Sequence, residues 1–102
     1  MKNITEDALA FVIFFPSENG GRKGPTPREY FKCIITIDNI NFDVRLNLIE
    51  SGAIWPGSST KVLVKFLDIT VAKKHFKIGS EFLMREVTIF GYGNILECYW
   101  IN

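Results

Sequence analysis

This chain has few of the residues that ionic or redox chemistry needs. It has one histidine, His75, and two cysteines, Cys33 and Cys98. A single imidazole without a matched carboxylate supports neither a metal site nor a nucleophile–base pair. The cysteines lie far apart, each in an apolar run and with no Cys-x-x-Cys neighbour, so free thiols packed as small hydrophobes are expected. No sign of charge dominates, with 12 Lys and Arg against 11 Asp and Glu. A dedicated nucleic-acid binder carries a clear basic excess because phosphate contacts dominate its affinity, and that excess is missing. The longest apolar run, Ala8 to Phe15, is too short to cross a bilayer. "MKNITEDALA" has no apolar stretch before a small-residue cleavage site, so no signal peptide is expected and cytoplasmic location is the default. A Gly-x-x-x-x-Gly-Lys-Ser/Thr phosphate loop is absent, as is any paired-carboxylate or nucleophile motif. We therefore expect no enzyme, no cofactor, no bound nucleotide or metal, and no membrane partner.

The chain does contain a period of two. "NFDVRLNLI" alternates strictly, with Phe42, Val44, Leu46 and Leu48 on one face and Asn41, Asp43, Arg45 and Asn47 on the other. "EYFKCIITI" puts Phe31, Cys33, Ile35 and Ile37 on one face, and "TKVLVKFLD" groups Val62, Val64 and Phe66. Turn signals separate these runs: Asp38-Asn39 suggests a tight hairpin, and Trp55-Pro56-Gly57 a turn fixed by proline and glycine. Gly79, Gly91 and Gly93 precede the last two runs. About six strands with one long loop, and no convincing helix, predict an all-β barrel in a single domain, 1–102. Residues 1–7 read as a flexible N-terminal lead.

Several ordered pieces then carry a family likeness. They are Ser17-Glu18 followed by Gly20-Gly21-Arg22, Pro27 to Lys32, Pro56-Gly57 with Val62 and Val64, Ala72, Phe82 with Arg85-Glu86, and Gly91-Tyr92-Gly93. In that order the chain, from about Ala8 to Leu96, resembles the C-terminal β-barrel domain of bacterial elongation factor Tu. That family has Glu-Gly-Gly-Arg, Arg-Pro-Gln-Phe-Tyr-Phe-Arg, Met-Pro-Gly, Phe-Ala-Ile-Arg-Glu and Gly-Ala-Gly at matching points. The resemblance implies a six-stranded closed antiparallel β-barrel that docks other molecules of translation, without the GTPase domain. The departures are local. The loop after Arg22 is shorter, Thr26-Pro27 matches either of two family positions, and Val87-Thr88-Ile89-Phe90 replaces a Gly-Gly-Arg-Thr hairpin.

The candidate binding residues are Gly20, Gly21, Arg22, Lys23, Arg28 and Trp55. In the family the Gly-Gly-Arg loop faces tRNA, and an arginine fork on a glycine backbone suits a phosphate. The alternative is an ordinary connection with solvated charges, partly cancelled by Glu18 and Glu29. Trp55 is an interface anchor or a plug for a barrel end, whereas Tyr92 is expected to plug one. Lys73, Lys74, His75 and Lys77 form a basic run of the kind usually found on a solvated face. The resulting expectation is a stand-alone module for a protein partner, the alternative being an RNA partner held by the Gly20–Lys23 loop.

Overall fold

A computed structural model describes residues 5–100. Six strands, β1 (Ala8–Phe14), β2 (Tyr30–Ile37), β3 (Ile40–Asn47), β4 (Ser59–Phe66), β5 (Glu81–Arg85) and β6 (Ile89–Cys98), close into a barrel in the order β1-β4-β3-β2-β5-β6. Every neighbouring pair is antiparallel. The all-β barrel expected from the period-two pattern is thus the fold, and closure leaves no free sheet edge.

The turns form for identifiable reasons. Asp38 and Asn39 both take positive φ, 54° and 61°, the mirror-image turn that matches strand twist in a two-residue hairpin. Gly57 supplies φ +83° after Pro56, and Ser58 N–H closes the turn on the Trp55 carbonyl at 3.1 Å. The β4–β5 connection contains one helical turn, α1 (Ile69–Ala72), which the sequence reading did not assign. Asp68 caps it by accepting from the Thr70 and Val71 amides.

Most of the nine phenylalanines fill the two ends of the barrel. Phe14, Phe90 and Phe31 form one cluster, with ring centroids 5.0 and 5.8 Å apart. This is the upper end, where the loops 15–29, 48–58 and 86–88 gather. Phe42, Phe66, Phe76 and Phe82 fill the lower end, the Phe66–Phe76 centroids being 4.9 Å apart. Ile35, Leu46, Met84, Ile95, Val12 and Val64 complete the core between them.

Residues 1–4 of the expected N-terminal lead lie outside the described residues. Glu6 and Asp7 do not behave as a lead, because both are buried. Asp7 N–H donates to the Val64 carbonyl (2.8 Å), its carboxylate accepts from Phe66 N–H (2.9 Å), and its carbonyl accepts from Tyr99 N–H (2.8 Å). One acidic residue thereby satisfies the backbone beyond three strand ends, a role that polarity alone does not reveal.

Closure is tightest where β1 meets β6. A Cβ on Gly93 would sit 2.6 Å from the Phe11 carbonyl oxygen and 2.8 Å from the Phe82 ring. Gly93→Ala is expected to lower stability by about 1–3 kcal/mol in urea unfolding, as overpacking does. Gly24→Ala, where added bulk meets nothing within 4 Å, should change it by less than about 0.5 kcal/mol. Equal effects would refute this account of the seam.

Candidate functional site

The loop between β1 and β2 is held to the barrel at several points. Pro16 starts a short 3₁₀ turn, Ser17–Asn19, which Gly20 ends at φ +88°. Gly21 N–H then donates to the Pro16 carbonyl (3.0 Å). A Cβ on Gly21 would overlap the Phe15 carbonyl oxygen, so this position requires glycine for close approach. Further on, the buried Thr26 hydroxyl accepts from Ile54 N–H (2.8 Å), and Thr26 N–H donates to the Ile54 carbonyl (3.0 Å). This reciprocal pair fastens the loop to the β3–β4 connection.

Arg22 was expected as an exposed anion contact, but the structure turns it inward. Its Nε lies 3.0 Å from Glu86 Oε1, and its guanidinium carbon 4.7 Å from the centre of the Phe31 ring. Its side chain is only 21% exposed. The cation covers Phe31 beside the first residues of β2, and β5 pairs with β2 only from Ile34 to Thr36. Lys23 and Arg28 remain exposed. Trp55 is 61% exposed and therefore plugs nothing. It shares a hollow of about 490 Å³ with Arg28 and Ile49. The structure thus brings Arg28 and Trp55 together and separates Arg22 from them.

Tyr92 does not plug an end either. It stands on the outer face of β6, 44% exposed, with its ring 5.9 Å from Phe15. This ring pair belongs to a surface on the outer side of β6 and β1. β1 is apolar on both sides: Ala8, Ala10, Val12 and Phe14 point in, while Leu9, Phe11 and Ile13 point out and are half-buried. Leu9 is paired with Leu63, and Ile13 and Leu83 are both paired with Tyr92. The outer wall thus carries two apolar rows, Leu9–Leu63 and Ile13–Tyr92–Leu83, with Phe11 between them flanked by Lys61 and Asn94. The signal lay in "LAFVIFF", which lacks the alternation of Phe42–Leu48 expected of a strand with one solvated face.

At the lower end, His75 Nδ1 lies 3.5 Å from Asp38 Oδ2 and the imidazole packs against Phe42. Lys74 and Lys77 are exposed there, around a hollow of about 670 Å³. Among the described residues no group of three or more His, Cys, Asp or Glu could hold a metal ion. No described helix is long and apolar enough to cross a membrane.

Both cysteines are free, as expected. Burial pushes the Cys33 thiol up to about 12, with the Glu86 carboxylate adding and Arg22 opposing. Compared with models of known families and with curated proteins, the chain matches none.

Two outcomes follow from this geometry. Arg22→Ala should lower stability by about 1 kcal/mol through lost ring stacking and stem packing, whereas Lys23→Ala should leave the urea midpoint in place. The folded chain resists ionising Cys33, so the stability from this group is intact below the ordinary thiol value of 9.0. It is lost as pH rises toward about 12, where the unfolded chain gains by releasing the proton. Cys33→Ala should flatten that alkaline decline; an unchanged pH profile would count against a protected thiol.

Proposed function

We propose that this chain is a non-catalytic docking module whose partner is another protein, built on a barrel of the elongation factor Tu C-terminal type. One observation carries the reading: the outward side chains of β1 are all apolar and continue into Tyr92, Leu83 and Leu63. A solvated barrel wall would carry polar residues at those positions, as β3 does with Asn41, Asp43 and Arg45. Outward apolar side chains with an aromatic anchor, interleaved with polar neighbours, have the composition of a protein interface. Lys61 and Asn94 flank Phe11, Glu97 flanks Leu9, and Glu81 stands beyond Asn94.

The type of barrel rests on the ordered motifs around Gly20-Gly21-Arg22, Pro56-Gly57 and Gly91-Tyr92-Gly93, and the six-stranded closure is compatible with it. The same resemblance favours a partner from the translation machinery. RNA capture by the Gly20–Lys23 loop has weaker support, because the Arg22 guanidinium is already engaged by Glu86 and Phe31. Lys23 and Arg28 are then the exposed cations of that segment.

A photo-crosslinking residue at Ile13 should form discrete protein adducts in host cells, and the same residue at Lys74 should not. Phe11→Asp should abolish the Ile13 adducts while the barrel stays folded by circular dichroism. An adduct with a second copy of the chain would identify the partner as itself. Equal labelling from both positions would sink the reading.

A further inference from the structure

A different outer surface begins on β4, two residues along from Leu63, and extends away from β1 over β3 and β2. On the outside of β4, β3 and β2, Lys65, Arg45 and Lys32 are direct cross-strand neighbours in one row. Adjacent strands lie about 4.8 Å apart, and like charges placed directly opposite each other destabilise a sheet. The fold offsets this only in part. Lys65 reaches Asp7 Oδ1 at 3.6 Å, which leaves the middle of the row uncompensated. Arg45 lies flat on the Tyr30 ring, 4.5 Å from its centre, and its Nε is buried without a hydrogen-bond partner among the described residues. One position along, Arg85 faces Ile34 across β2.

These cations edge a concavity of about 740 Å³. Its mouth is apolar: Leu67 is 81% and Val87 89% exposed. Both stand beside the cation row, and neither is needed by the core.

From this arrangement we infer that the β4–β3–β2 face, with Leu67 and Val87 at its rim, docks an acidic protein segment that presents aliphatic side chains between its carboxylates. Charge complementarity selects the acid: carboxylates give the fixed Arg45 fork an acceptor and relieve the Lys65–Arg45–Lys32 repulsion. The two exposed aliphatic residues select leucine-like neighbours, which a purely ionic ligand cannot supply. Nucleic acid fits less well. The nearby aromatic ring, Tyr30, is already covered by Arg45 and so offers no stacking platform. The site is centred on β3 and β2, two and three strands from β1, and meets the apolar wall only along its β4 and β5 edges.

The probes are a fluorescein-labelled peptide alternating glutamate and leucine, an all-glutamate peptide of equal length, and a labelled oligo(dT), compared by anisotropy at low and moderate salt. The alternating peptide should bind tightest, and Arg45→Ala should weaken it by about tenfold. Leu67→Ser with Val87→Ser, at side chains too exposed to affect folding, should remove its advantage over the all-glutamate peptide. Phe11→Asp, on β1, should leave its affinity unchanged. The inference is overturned if none of the probes binds, if oligo(dT) binds as tightly as the alternating peptide, or if the rim variants leave the leucine preference intact.

Discussion

The structure depends on one close approach, the pairing of the first strand with the last. β1 must sit between β6 and β4 for the barrel to close. Its backbone comes so near β6 that Gly91 and Gly93 have no room for a Cβ. These two glycines alternate with Tyr92 and so face inward, where the Met84 and Phe82 side chains fill the space a Cβ would take. Closure therefore joins chain segments roughly eighty residues apart in sequence, an ordering cost that only the shared core repays. The two phenylalanine clusters belong to that core, and each draws rings from strands on different sides of the barrel.

Closure also decides what each strand can show to the outside. In a six-stranded ring, β1 lies three strands from β2 in either direction. The apolar outer face of β1 and the cationic outer faces of β3 and β2 therefore point away from each other. Neither surface contributes to the core. Both run against the composition that solubility alone would select, one by exposing apolar rings and the other by stacking like charges.

The strands were legible because a half-buried wall alternates residue by residue. Phe42, Val44, Leu46 and Leu48 entered the core as a set, and Asp38-Asn39 made the expected tight turn. The misassigned positions share a physical cause: their partners are distant in sequence. Nothing local distinguishes an arginine that solvates its charge from one that lies on Phe31 and meets Glu86. Asp7 looked like part of a polar tail because its acceptors serve amides at Phe66 and beyond. Tyr92, flanked by glycines, looked like a loop residue, although those glycines are strand positions emptied by the β1 backbone. The outer face of β1 was visible as a missing alternation, but a continuous apolar run also describes an ordinary buried strand.

The same distinction explains the glycines and prolines between β1 and β2. Two glycines in a row look like freedom of movement, yet each answers a separate constraint. Gly20 accepts a left-handed turn, and Gly21 lies against the Phe15 carbonyl. Beyond them, Pro25 and Pro27 flank Thr26, whose hydroxyl and amide both bond to Ile54. Proline at either side costs no hydrogen bond there and limits the conformations the unfolded segment can visit. With Arg22 fixed over Phe31, the segment is tied down at its start, middle and end. A segment so anchored helps to cover the upper barrel end, and it leaves Lys23 and Arg28 exposed.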